Sequence, residues 1–600
     1  GSPRHLGIHS GGMVLTEQPI GDVCPIERAR MDKRTVLQWD KEACASMGLV
    51  KFDLLGLGML SALDHMMRLS ERWLGESWTL ATLPKGEPAV YDMLCRADSV
   101  GVFQVESRAQ IGTLPRLRPR EFYDLAIEIA LIRPGPIQGG AVHPYIRRAT
   151  GREEVVYPHP SVEHVLARTR GVPLFQEQLM EMATVLGDCS RDDADLLRRA
   201  MGSKRGVERI EKVQKQLFTG MAAKGIVGDQ ADTIYRQILS FANFGFAESH
   251  ALSFATLVYY SSWLKLHYPA IFLVGLLRAQ PMGFYSAQSL VGDARRHDVV
   301  VRRPDLLLSA ATADLEPLDP AASPPRGGLD ACLVDHPERT EFVEGTPDPT
   351  PQHRRDGAYA VRMGLDSVRG IGLAVATRIV EAREERAFSD LADLSRRAGL
   401  EARQLEALAT AGAFEGLELD RRRALWEAGW TERLDQLEGL RFSAPAPTLP
   451  LMGEVETMLA DLWATGVTPE GHPFEHLRPM LRRAGIFSVA ELSDPRGPES
   501  GRRVTVAGVI THRQRPGTAG GVTFLNLEDE TGMLNVVCGA GLWRRHRALA
   551  TRVNAMVIRG LLERRDGVTN LVADRLGGIE DLHPDAASAL ETRLRSRDFR

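Results

Sequence analysis

The hydrophobic period of this chain changes once, from helical to alternating, and that change restricts the fold more than any other feature. From about Thr79 to Met282 apolar residues recur at helical spacing, as in Asp195-Leu196-Leu197-Arg198-Arg199-Ala200-Met201 and from Ala255 to Tyr268. Each such segment must bury one face. Residues Val361 to Phe414 repeat the pattern. From about Arg502 the period becomes two: Val504, Val506 and Gly508-Val509-Ile510 begin one strand, and Val522 to Leu527 and Leu534 to Val537 follow, with Asp529-Glu530-Thr531-Gly532 as a turn. Two turn-rich stretches, Asp319 to Gly328 and Thr346 to Pro351, and the linker Ser443 to Pro450 separate the periodic blocks. A chain of 600 residues has room for several cores.

The pattern predicts a mixed α/β, multidomain protein. Val50-Lys51-Phe52-Asp53-Leu54-Leu55 reads as a buried strand, followed by a helix from about Gly58. Residues 304–356 read as an irregular connector, 416–500 as a linker with a small helical segment, and 581–600 as a tail. Short strands with glycine turns over 501–580 suggest a small barrel such as an OB-fold. The apolar stretch Ala251 to Leu277 contains Lys265, His267 and Pro269. Its uncharged runs are too short to cross a bilayer, so it predicts a buried helix pair and no membrane association.

Lysine and arginine number 74 against 78 acidic residues, a net charge of −4. Any nucleic-acid contact must therefore come from local arginine patches. Six cysteines without a CxxC pair exclude a zinc ribbon and a disulfide framework and fit a reducing, cytoplasmic setting. The chain starts without Met and without an apolar h-region, so it reads as a cut through a longer protein rather than a secreted one.

Several residues are candidates for chemistry. Asp53 places a carboxylate in an apolar strand, which is costly unless it caps the next helix or meets a cation. The D-x-D triplet Asp193-Ala194-Asp195 lies at the start of a predicted helix, where it reads as an acidic first turn. His5 and His9 are four apart, but Gly7 and Gly11-Gly12 make a shared helix face poor, favouring a structural or DNA-contact role over zinc. Arg198-Arg199, taken alone, is a solvated helix face. Val368-Arg369-Gly370-Ile371-Gly372-Leu373-Ala374 reads as a helix-hairpin-helix, with Gly370 and Gly372 letting backbone amides approach a DNA phosphate and Arg369 beside them. Arg544, Arg545 and Arg547 could follow a single strand, with Phe524 or Trp543 either stacking on bases or sitting in the core.

The segment Lys51-Phe52-Asp53-Leu54-Leu55-Gly56-Leu57, preceded by Gln38-Trp39-Asp40-Lys41, resembles the palm of C-family bacterial DNA polymerases, the DNA polymerase III alpha-subunit family. Arg4 to Gly12 resembles that family's glycine-bearing palm segment. Val102 to Arg108, Ala130-Leu131-Ile132-Arg133-Pro134-Gly135-Pro136, Phe175-Gln176-Glu177-Gln178 and Leu197 to Lys204 resemble its fingers, in the family's order. The resemblance implies the C-terminal half of a palm over 1–75, mainly α-helical fingers over 76–303, a helix-hairpin-helix region over 357–415 and an OB-type barrel at the end. It implies Mg²⁺, with Asp53 as a catalytic metal ligand and Lys51 near the nucleotide phosphates. Arg198, Arg199, Arg133, Lys204, Ser249 and His250 are the implied nucleotide-binding residues. Two further family aspartates, in a D-x-D strand, have no match here, so this segment alone is expected to be inactive.

Phe244-Gly245-Phe246-Ala247-Glu248-Ser249-His250-Ala251 resembles the error-prone, damage-inducible branch, where replicative members usually carry Asn-Lys in place of Ala247-Glu248. The resemblance implies translesion synthesis on primer-template DNA with deoxynucleoside triphosphates, alongside a Y-family-like adaptor and a RecA-like accessory protein. Glu248 is expected to weaken nucleotide binding by repelling a triphosphate. Thr448-Leu449-Pro450-Leu451-Met452 lies where replicative relatives carry a sliding-clamp peptide, without the usual Gln and closing aromatic. A replicative-type alpha subunit and a non-catalytic DNA-binding or assembly subunit are the alternative readings.

Overall fold

The computed structural model describes residues 12–29, 34–39, 44, 47–53, 57–133, 142–190, 192–193, 206–241, 246–282, 284–321, 334, 341–343, 347–429, 447–515, 519–565, 567–579 and 597–599. They fall into two compact units, one of residues 1–61 with 133–250 and the other of residues 62–132 with 251–600. The segment expected to form the fingers, residues 76–303, contributes to both units.

In the first unit, strands Gly12–Val14 and Lys51–Asp53 pair antiparallel, with Met13 opposite Phe52 and Gly12 opposite Asp53. The expectation of a buried strand is corrected. Val50 and Phe52 are exposed, because this is a two-stranded ladder, and such a ladder covers neither of its own faces. A second ladder pairs Ile26–Arg28 with Thr35–Leu37. The core of this unit is helical: Val162, Leu166, Leu179, Met182, Leu186, Leu217, Met221, Ile234 and Ile238 form one cluster. Helices Gln176–Gly187 and Gly206–Ala223 cross where Gly220 meets Gly187; a Cβ on Gly220 would lie 2.2 Å from the Gly187 backbone. Only glycine permits that approach.

The second unit is built on the predicted helix pair, now seen as Glu248–His267 and Pro269–Arg278. Pro269 lacks the N–H that would continue the first helix and occupies the first turn of the second. Asp356 Oδ2 accepts from the Ala270 and Ile271 amides and caps that new start. Trp263, Leu264, Leu266, Ala270 and Ile271 are fully buried, each larger side chain contributing about 1.5–3 kcal/mol.

The two basic residues that interrupt the apolar run are buried with partners. Lys265 Nζ lies 2.6 Å from Asp98 Oδ1 and 2.8 Å from Asp293 Oδ2, and donates to the Val100 carbonyl at 3.1 Å. His267 Nε2 lies 2.8 Å from Glu87 Oε2, and His353 Nδ1 lies 3.2 Å from Glu87 Oε1. No described helix is long and apolar enough to cross a membrane.

The connector is less irregular than its composition suggested. Val301–Arg302, Asp314–Pro317 and Tyr359–Arg362 form a three-stranded sheet with Tyr359–Arg362 at its centre. Arg302 and Arg362 both engage Glu316, which explains why a polar segment is ordered there. Leu306 belongs to the next core, with Leu365, Ile371, Ile379, Leu394, Leu408 and Phe414.

The C-terminal barrel is five-stranded and closed. Arg503–Gln514, Thr523–Glu528, Met533–Cys538, Val568–Gly578 and Ala555–Arg565 pair in that spatial order, and the last pairs back to the first. Met533–Cys538 and Val568–Gly578 run parallel, the other pairs antiparallel. This is the OB architecture. Alternate residues, Leu525, Leu527, Leu534 and Val536, fill its interior.

Candidate functional site

In the first unit two of the predicted nucleotide-binding residues, Arg133 and His250, come together around one phenylalanine. The Arg133 guanidinium sits over the Phe246 ring, 3.8 Å from Cζ to the centroid. The edge of the same ring meets His250 at 5.3 Å between centroids. Ser249 and His250 are exposed in the first turn of the helix Glu248–His267. Burial lowers the Arg133 pKa from its usual value, since charge is less stable away from water. A guanidinium has five N–H donors in a planar fork, suited to phosphate oxygens.

The start of this helix is tied to the helix Gln176–Gly187. The Gln176 amide donates to the Phe246 carbonyl at 2.9 Å, and Glu177 Oε2 accepts from the Glu248 amide at 3.0 Å. The Glu248 carboxylate lies 3.1 Å from Arg168 Nη1. The carboxylate expected to repel a triphosphate therefore has a cation facing it. Phe246, Glu177 and Arg168 were missed as parts of this arrangement. Gln176-Glu177 had been read only as part of a motif, and Arg168, 80 residues from Glu248 in the chain, gave no local signal.

Of Lys51 and Asp53 the structure describes the backbone, at the strand position opposite Val14 and Gly12. Arg198, Arg199, Lys204, His5 and His9 lie outside the described residues. Asp193 is a helix-start residue: Ser190 donates to its carboxylate through N–H and Oγ, and Asp193 N–H donates back to Ser190 Oγ. That reciprocal pair leaves it a cap rather than a metal ligand.

In the second unit Gly370 and Gly372 form an exposed tip before the helix Leu373–Glu385. Gly370 has φ of +79°, and a Cβ on either glycine would meet no atom within 4 Å. Ile371 between them is buried and anchors the tip. Arg369 stacks on Trp463, 5.2 Å to the centroid. The tip therefore offers backbone and the start of a 13-residue helix to solvent, a shape suited to a phosphate.

The barrel departs from expectation. Trp543 is buried in its core and is not a stacking platform. Arg544 and Arg545 lie on the short helix Ala540–Arg545 and Arg547 on Arg547–Arg552, both exposed but on the helical connection between strands. Phe524 is half-buried on the strand face. That face is partly covered by the same unit: His512 stacks on Phe284 at 4.2 Å and its Nε2 donates to the Phe284 carbonyl at 2.8 Å, and Glu528 accepts from Ser289 Oγ at 3.1 Å. Periodicity places residues on a face but does not say what packs against it.

Residues 1–56 match the bacterial DNA polymerase III alpha NTPase domain and 59–225 its finger domain. Residues 298–424 match a helix-hairpin-helix motif and 504–577 an OB-fold nucleic acid binding domain. The error-prone DNA polymerase of Cutibacterium acnes is 59% identical across the whole chain. The chain belongs to the bacterial DNA polymerase III alpha-subunit family. The error-prone DNA polymerases of Mycolicibacterium paratuberculosis and Mycobacterium tuberculosis are 52% and 51% identical over 100% of this chain. The chain spans about half the length of these curated relatives, 52% in the Cutibacterium acnes case and 50% in the other two. Among solved structures, asparaginyl-tRNA synthetase from Pyrococcus horikoshii matches over 13% of this chain at 20% identity and a TM-score of 0.12, too little to bear on the reading.

Residues 1–56 and 59–225 together carry the alpha-subunit motifs, and residues 298–424 extend the helix-hairpin-helix well beyond the 357–415 expected, taking in the strands and Leu306.

Proposed function

We propose that the protein carrying this segment is an error-prone, template-directed DNA polymerase, which joins a deoxynucleotide to a primer 3′-hydroxyl and acts on damaged templates. The observation that carries this reading is the 59% identity to an error-prone DNA polymerase along the whole chain. In this reading the Arg133–Phe246–His250 group is one wall of the nucleotide site, joined by Ser249, Arg198, Arg199 and Lys204. The Gly370–Gly372 tip and Arg369 hold duplex phosphates without reading sequence. Arg544, Arg545 and Arg547 add positive charge to the barrel end.

Mg²⁺ does not fit this segment by itself. Asp53 and Lys51 are the residues assigned to the metal and phosphates, and a two-metal centre needs several carboxylates on rigid elements. Asp193 is engaged as a cap, so no step is derived through metal here. The test is primer extension. The 600-residue chain with Mg²⁺, primer-template and four deoxynucleotides is expected to give none, and the full-length protein is expected to lose extension on Asp53→Ala. Extension by the chain alone that Asp53→Ala abolishes would overturn the assignment of an incomplete centre.

A sliding-clamp contact is a separate proposal. Thr448 to Met452 has no helix or strand, and Leu451 is 75% exposed, as an extended docking peptide requires. Clamp binding by the chain, lost on Leu451→Asp, supports it; binding unchanged by that substitution counts against it. The adaptor and RecA-like partners remain expectations of the resemblance.

A further inference from the structure

We propose that Arg168 is a positioning residue for the incoming nucleotide, acting through Glu248 at the start of the helix Glu248–His267. This rests on the nucleotide-site reading above. Arg168 lies in the turn Ala167–Thr169. Its Nη1 is 3.1 Å from Glu248 Oε1, with the Arg168 side chain 64% exposed and that of Glu248 16% exposed.

Three ties converge on Phe246 and Glu248, before and at this helix start. One is backbone to backbone, Gln176 to Phe246. The second runs from the Glu248 amide to Glu177 Oε2. The third is the Arg168 ion pair, which holds the Glu248 side chain by charge. Phe246, two residues before Glu248, carries the Arg133 guanidinium, and His250, two residues after, meets the same ring. Glu248 therefore lies in the chain midway between the two rings that meet, so a hold on Glu248 acts on the segment that presents them. The Glu177 carboxylate accepts from the Glu248 backbone amide, while Arg168 faces the Glu248 side chain.

The exposure of Arg168 makes a purely structural role weak. Exposed pairs contribute little to stability, and the backbone tie and the helix remain when the pair is lost. Its effect should appear in nucleotide binding rather than in folding.

The test compares Arg168→Ala, Glu248→Ala, the double alanine variant, and the exchange Arg168→Glu with Glu248→Arg, in the full-length polymerase. The readouts are KM and kcat for a matched deoxynucleotide, with melting temperature as a folding check. Each single alanine change is expected to raise KM about three- to fivefold, the upper part of the range an ion pair of this kind supports, with kcat within about twofold and melting little changed. The double variant should be no worse than either single, because the two act as one unit. The exchange should return KM to within about twofold of the parent. Additive losses, single variants with unchanged KM, or an exchange as impaired as the singles would each overturn the proposal. Arg133→Ala in the same assay separates the two levels. If it raises KM while the Arg168 variants do not, the inference alone fails; if it too leaves KM unchanged, the nucleotide-site reading fails and the inference with it.

Discussion

Arg133 rests on the face of Phe246, with 3.8 Å between its Cζ and the ring centroid. The ring's negative face holds the cation in place, an interaction worth about 0.5–2 kcal/mol. Phe246→Leu keeps an apolar filler and removes the π face. We expect it to raise KM for a matched deoxynucleotide by about fivefold, the equivalent of ~1 kcal/mol, and Phe246→Trp to retain the parent value. Equal KM for the leucine and tryptophan variants in single-nucleotide kinetics would mean that the stack does not serve the nucleotide.

The charged cluster around Lys265 makes stability depend on alkaline pH. His297 Nε2 is 2.6 Å from Asp98 Oδ2 and Nδ1 is 2.8 Å from the Asp293 carbonyl, with Asp293 Oδ2 at 3.9 Å. Lys265 and Arg296 share these carboxylates, and Arg354 donates to the His297 carbonyl. Burial lowers the His297 pKa, but Asp98 and then Asp293 outweigh it and raise the pKa from 6.5 to about 9. A raised folded-state pKa means stability that is complete below 6.5 and lost as pH rises through 9, on the order of 3 kcal/mol over that window. The melting temperature is expected to fall between pH 6.5 and 9, and His297→Gln to start lower and flatten the slope. A parent profile with no fall over that interval would contradict it.

Glu87 sets the acid side. Burial opposes its charge, yet hydrogen bonds and charge from His267 and His353 bring its pKa down to about 2. The depressed value means stability present above about 4.5, the unfolded value, and lost as pH falls toward 2. Glu87→Gln leaves His267 buried without its carboxylate and is expected to cost about 3–5 kcal/mol at neutral pH, read as a lowered denaturation midpoint. A conservative Glu87→Asp should lose less than the glutamine variant.

The hairpin tip separates folding from DNA binding. Gly372 has ordinary φ and open space where a Cβ would go, so Gly372→Val should fold normally yet obstruct a phosphate. Gly370, at φ +79°, should cost about 1–2 kcal/mol when replaced by alanine, because only glycine adopts that conformation freely. Duplex affinity of the 600-residue chain, titrated at two salt concentrations, should drop for Gly372→Val with unchanged melting. Unchanged affinity would remove this tip from the DNA contact.

Much of the fold was legible in the residues themselves. The shift of period near Arg502 announced a strand-built barrel, because alternation can bury one face of a strand and helical spacing cannot. Lys265, His267 and Pro269 inside an apolar run announced two buried helices rather than a membrane span. The glycines at 370 and 372 announced a tight tip before a helix, since the requirement is local backbone geometry.

What the sequence could not supply was the partner of each charged side chain. The period places Lys265 in a core but does not say that Asp98 and Asp293 meet it there. The motif around Glu248 suggested repulsion of phosphate, whereas Arg168, 80 residues earlier, supplies a facing cation. Trp543 and Phe524 were equal candidates for stacking until the barrel closed around one and not the other. Local propensity acts through neighbours in the chain, so it decides elements and turns. Pairing of charges and covering of faces depend on contacts between residues far apart in sequence, and those exist only once the tertiary structure has formed.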